Sequence, residues 1–120
     1  MVLVDTSIWV AHFRFKDLQL QALLNDAQVL IHDFIVGELA CGNLRARNEI
    51  LSLLRTLPCA PLVDQTELLY FIEKNRLMGK GIGFVDAYLL ASAQLMGAPL
   101  WTSDKRLKRA AARMKLCYNR

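Results

Sequence analysis

Four carboxylates in this chain stand in apolar company. Asp5 follows Val2-Leu3-Val4, and Glu38 lies within Phe34-Ile35-Val36-Gly37-Glu38-Leu39-Ala40. Asp86 lies within Phe84-Val85-Asp86-Ala87-Tyr88-Leu89-Leu90, and Asp104 follows Leu100-Trp101-Thr102-Ser103. Burying a lone carboxylate costs on the order of several kcal/mol unless it is paired or binds a cation. No Lys or Arg lies within three residues of Asp5, Glu38 or Asp86, whereas Lys105 and Arg106 adjoin Asp104. An all-oxygen cluster suits Mg²⁺ or Mn²⁺, which prefer hard ligands and keep several waters. Such a centre activates water and stabilises charge on a phosphodiester. Each residue alone has a plainer reading: Asp104 as the N-cap of a basic helix, Asp86 as a favourable first-turn charge. Four in matching settings favour the metal.

These side chains need elements to carry them. Val2 to Val4 reads as a buried parallel strand with Asp5 at its carboxyl end, where open α/β sheets bind ligands. Ser7 is the expected cap of a helix to about Phe15, and a second helix runs from Asp17 to Asp26. Val29-Leu30-Ile31 is the second strand. Asp33 is the expected N-cap of a helix over Phe34–Cys41 that carries Glu38. An amphipathic helix follows over Arg45–Leu57. Pro58 and Pro61 bracket a short edge strand, and another helix covers Asp64–Met78. Phe84 to Met96 is a strongly apolar helix ended by Gly97, with Asp86 in its first turn. Pro99 to Thr102 is a strand delivering Asp104, Lys105 to Met114 a basic helix, and Lys115 to Tyr118 a last strand. Strands alternating with helices imply a parallel sheet covered on both faces. If the first and fourth strands are neighbours, Asp5 and Asp104 meet at one edge.

The 120 residues make one domain the natural reading. Three widely spaced cysteines, with no CxxC pair, exclude a disulfide framework and a zinc finger and are read as buried free thiols. No signal peptide and no membrane-spanning run is evident, so a cytoplasmic protein is expected. The formal net charge of +4 points weakly to nucleic acid. The loop Gly79-Lys80-Gly81-Ile82-Gly83 follows a helix, where nucleotide-binding glycine loops follow a strand, and reads as a hinge.

Val-Asp-Thr-Ser-Ile-Trp at 4–9, the helical Glu38, Val-Asp-Ala-Tyr-Leu-Leu-Ala at 85–91 and Thr-Ser-Asp at 102–104 together resemble a PIN-domain ribonuclease. The closer resemblance is to a VapC-type toxin of a bacterial toxin–antitoxin pair. It covers almost the whole chain, in family order. It implies one PIN domain over residues 1–120, a compact Rossmannoid α/β/α sandwich with a four- or five-stranded parallel sheet. It carries over Asp5, Glu38, Asp86 and Asp104 as the catalytic, metal-binding quartet, with Ser7 and Thr102 as supporting hydroxyls. It further implies Mg²⁺- or Mn²⁺-dependent endonucleolytic cleavage of RNA, homodimers or toxin–antitoxin hetero-oligomers, and inhibition by a VapB-like antitoxin. The leucine-rich faces Leu18–Leu24 and Leu51–Leu57 are candidates for the antitoxin groove.

Lys80, Lys105 and Arg106 are the foremost candidates for holding RNA. Trp9 and Trp101 are read as core rather than as base-stacking platforms, and His12 and His32 as structural. Two other classes compete. A catalytically silent PIN-like binding module would keep the fold and lose the metal. A haloacid-type phosphatase needs Asp-x-Asp, and position 7 is Ser.

Overall fold

The computed structural model describes residues 1–119. In chain order its elements are β1 (Val2–Val4), α1 (Thr6–Phe15), α2 (Leu18–Asn25), β2 (Val29–Leu30), α3 (Asp33–Cys41) and α4 (Arg47–Leu54). There follow α5 (Gln65–Lys74), α6 (Phe84–Met96), β3 (Leu100–Trp101) and α7 (Lys105–Arg113). The three strands are parallel, in the order β2-β1-β3. Every strand residue is buried, as in a sheet with helices on both faces.

The sheet has three strands where four or five are expected. The segment between Pro58 and Pro61 joins through one bridge, Ile31 with Cys59, and the segment after α7 through another, Leu100 with Cys117. Ile31 donates its N–H to Pro58 O, and Ala60 donates to Ile31 O. Pro58 and Pro61 have no N–H to give, so the ladder cannot extend in either direction. On the other edge, β3 is only two residues long, and Leu100 alone meets Leu116 O and Tyr118 N.

β1 is the centre of this arrangement. From β1 the chain moves outward to β2 and the Cys59 edge, then returns through α5 and α6 to β3 on the other flank of β1. The carboxyl ends of β1 and β3 therefore diverge at a topological switch point, where such sheets open a crevice. Leu3, Val4, Leu30, Ile31 and Leu100 of the sheet region pack with Ile35, Leu39, Leu68, Leu89, Leu90 and Leu107 of the helices. In α6, seven consecutive residues from Ala87 to Ala93 are buried. A helix apolar all round lies in the interior, and only its two ends reach the surface. Asp86 sits at the end beside the crevice.

Several local expectations are corrected. Asp5 itself occupies the N-cap position of α1, and Ser7 lies inside the first turn. The cap of α3 is His32, whose Nδ1 accepts from Phe34 N at 3.0 Å, and Asp33 is the first helical residue. On α5, Leu69 is exposed while Leu68 and Phe71 are buried. The cysteines are free as expected, but Cys41 and Cys59 are exposed and Cys117 half-buried. Trp9 and Trp101 are core, and the indole N–H of Trp9 donates to Val4 O. Gly97 closes α6 in the left-handed conformation, φ 63°. Among the described residues no helix is long and apolar enough to cross a membrane.

Candidate active site

Asp5 is the buried member of the quartet, at 6% exposure. Its Oδ2 accepts from Ser7 Oγ at 2.8 Å and from Thr102 Oγ1 at 2.7 Å. Each hydroxyl has one hydrogen, and both are spent on Oδ2. Each hydroxyl oxygen in turn accepts a backbone N–H of the turn after β3: Ser103 N to Ser7 Oγ and Asp104 N to Thr102 Oγ1, both at 3.1 Å. Two hydroxyls thus donate to one carboxylate oxygen, and each is itself held in place by a backbone amide. Among the described residues Oδ1 accepts no hydrogen bond.

The other three arrive by different routes. Asp104 caps α7, with Oδ1 accepting from Leu107 N at 3.0 Å. Asp86 Oδ2 accepts from Gly83 N at 3.3 Å in the first turn of α6. Glu38 Oε1 accepts from Thr6 Oγ1 at 2.7 Å, across the packing of α1 on α3. Thr6 is the residue that sequence reasoning missed. Its place between Asp5 and Ser7 was the available signal, since a hydroxyl at the start of α1 faces whatever packs beside that strand end.

Electrostatics links the four. Burial pushes the Asp86 carboxyl above the ordinary carboxylate range. The Gly83 N–H opposes this, and the charges of Asp5, Asp104 and Glu38 raise it further. No cation enters that balance. Exposure differs among them: Asp86 is half-buried, and Glu38 and Asp104 are exposed. Exposure lets these two swing toward a ligand while Asp5 is fixed. Among the described residues no three His, Cys, Asp or Glu side chains converge closely enough to cage a metal ion.

The arrangement is an all-oxygen cleft with one buried carboxylate, one half-buried and two exposed. A family model described as PIN domain matches residues 2–113. Ribonuclease VapC32 of Mycobacterium tuberculosis, strain CDC 1551 / Oshkosh, is 46% identical over 113 residues, covering 93% of this chain and 91% of the relative. The protein of the same name from strain ATCC 25618 / H37Rv matches to the same extent. This chain belongs to the PIN-domain family, among its VapC-type ribonucleases. The order of motifs read from the sequence corresponds here to β1, α3, α6 and the turn after β3.

Two cavities hold other candidates. Lys80 and Arg106 line one cavity, and Lys105 is not part of its lining. Both histidines are structural. His12 Nδ1 accepts from Asp17 N. His32 is fully buried and bonds to Ser92 Oγ through Nε2 at 3.1 Å. A second cavity, of about 580 Å³, lies between α1, α3 and the loop before α4, lined by Val10, Phe13, Leu39, Leu44 and Ile50 with Thr6, Glu38, Arg14 and Arg45. The leucine faces Leu18–Leu24 and Leu51–Leu57 do not line it, and their central members, Leu20 and Leu54, are core.

Proposed function

We propose that this PIN domain is a Mg²⁺- or Mn²⁺-dependent endoribonuclease and the toxin of a toxin–antitoxin pair. The observation that carries this reading is the clamped Asp5 carboxylate, its Oδ2 held by Ser7 and Thr102, with Asp86, Glu38 and Asp104 near enough for their charges to add at one place. A cleft that gathers negative charge in this way is completed by a cation, and its donors are all hard oxygens. The donor set fits a hydrated divalent ion, which needs only one or two direct carboxylates, better than a fully caged one. Asp5 and Asp86 would hold it, with Glu38 and Asp104 completing the set directly or through water. When bound, such an ion supplies charge neutralisation and a more acidic water.

The chain's own residues supply the rest. Ser7 and Thr102 turn Oδ2 of Asp5 inward and leave Oδ1 for the cleft. Thr6 steers Glu38. The flexible carboxylates orient the attacking water by accepting its hydrogens. A bond forms from the water oxygen to phosphorus, the bond from phosphorus to O3′ breaks, and O3′ gains the proton. The products are a 5′-phosphate and a 3′-hydroxyl. A VapB-like antitoxin is the expected inhibitor, and the 580 Å³ cavity is its candidate seat, since its wall contains the Thr6–Glu38 bond.

The test is cleavage of an RNA mixture by wild-type protein and by Asp5→Asn. The wild type should cut with Mg²⁺ or Mn²⁺ and stop in EDTA. Asp5→Asn should stay folded by circular dichroism and cut nothing. Full activity in Asp5→Asn, prepared free of wild type, would overturn the assignment. A wild type that binds RNA and never cuts would favour the silent binding module.

A further inference from the structure

Beside the carboxylate cleft lies a cavity of opposite sign. It measures about 340 Å³ and is lined by Lys80, Arg106, Arg109, Ala110 and Arg113. Four of these five residues are cations and none is acidic. Arg106, Arg109 and Arg113 recur at i, i+3 and i+7 along α7, so they share one helix face, and Ala110 leaves room between them. Lys105 points off that face.

Lys80 comes from the glycine-rich loop, and the loop is built to meet α7. A Cβ at Gly81 would fall 2.5 Å from Cδ and 2.8 Å from Nη1 of Arg106. Gly81 is also in the left-handed region, at φ +75°. The positive φ favours glycine there, and the flexible Arg106 side chain lies over it. Arg113 is anchored by donating from Nη2 to Asn75 O at 2.7 Å. Four cations around one hollow repel one another and favour an anionic occupant. Arg106 and Arg109 offer planar donor forks that match phosphate oxygens. The cavity adjoins the cleft along the chain: Arg106 follows Asp104, the cap of α7, by two residues, and the glycine loop leads into α6, whose first turn carries Asp86.

We propose that this cavity is a phosphate-anchoring subsite that grips the RNA backbone a short way along the strand from the cleaved bond. The proposal rests on the ribonuclease reading above. Because the grip is on phosphate, it contributes affinity and register but no base preference.

The experiment measures binding of RNA oligonucleotides of several sequences to full-length protein carrying Asp5→Asn, with and without Lys80→Gln/Arg109→Gln. A charge-matched control carries Arg55→Gln/Lys74→Gln, exposed positions outside the cavity. The cavity variant should bind about tenfold more weakly, equally for every sequence, with the salt slope reduced by about 0.7 to 1.4. The control should lose much less. Neutral methylphosphonate links placed one at a time along the RNA should weaken binding at a discrete position, and that position effect should vanish in the cavity variant. A cavity variant indistinguishable from its parent, or a control that loses as much, overturns the subsite. Wild-type protein that neither binds nor cuts RNA overturns the ribonuclease reading and the subsite together. Wild type that cuts while the cavity variant binds normally overturns the subsite alone.

Discussion

The hydroxyl of Thr102 joins three elements at once, because it donates to Asp5 on β1, accepts from Asp104 at the start of α7, and itself follows β3. Thr102→Val keeps the shape and removes both bonds. We expect a loss of about 1.5–3 kcal/mol in urea unfolding, the range for a hydrogen bond to a charged group. Cleavage should fall by about 10- to 100-fold, as for other outer partners of metal ligands, and Thr102→Ser should recover both. Asp86 behaves in the opposite sense. Its folded-state carboxyl is raised above 3.8, so the folded chain holds that proton more tightly than the unfolded chain. Ionising Asp86 therefore subtracts stability as pH rises through the raised value, and the subtraction is absent at lower pH. Asp86→Asn should melt higher than wild type in EDTA at neutral pH, with the gap closing on acidification. Added Mg²⁺ should stabilise the wild type and not the variant. At this scale the four acids were legible because each interrupts an apolar run. Thr6 was not, because a threonine opening a helix looks the same whether or not it holds a partner's carboxylate.

At the scale of elements, α3 and α6 are pinned by one buried imidazole. Ser92 gives its hydrogen to Pro61 O at 2.7 Å, so His32 Nε2 must donate to Ser92 and Nδ1 must accept from Phe34. A second ring proton would break the helix cap. Burial holds the His32 pKa below 6.5, against a smaller upward pull from Asp33. The unfolded chain thus binds the extra proton more readily. The stability contributed by neutral His32 is full above pH 6.5 and is lost as pH falls toward the lowered folded value. His32→Asn keeps an N-cap acceptor without titrating, and should flatten that limb of the stability–pH curve. Asp104 also serves an element as well as the site. Asp104→Asn retains the cap of α7 and should change stability by only a few tenths of a kcal/mol, whereas Asp104→Ala should lose about 0.5–2 kcal/mol. Both should cut RNA poorly, which separates cap from chemistry in paired unfolding and cleavage assays. The cap of α3 was misassigned from sequence because Asp is the commoner cap and stands next to His32. The edge strands were overcounted because a segment bracketed by prolines still looks strand-like when its pairing ends after one bridge.

For the whole molecule, the layered α/β plan was readable from the alternation of elements, and the apolar surround of Asp86 already marked α6 as an interior helix. Sheet order was not readable. That β1 lies between β2 and β3 is a tertiary fact, and it alone turns two strand-end acids into neighbours. Charge segregation was hidden for the same reason. A net charge of +4 says nothing about an acidic cleft abutting a basic cavity until α7 and the glycine loop are brought together.

The Asp5–Thr102 hydrogen bond spans 97 residues. A ribosome emits the hydroxyl about 5 to 20 seconds after the acid it meets, at typical elongation rates. Until then β1 lacks one neighbour, Asp5 lacks its clamp, and Asp104 does not exist. The surroundings of Asp5 therefore cannot be completed until both segments have left the ribosome.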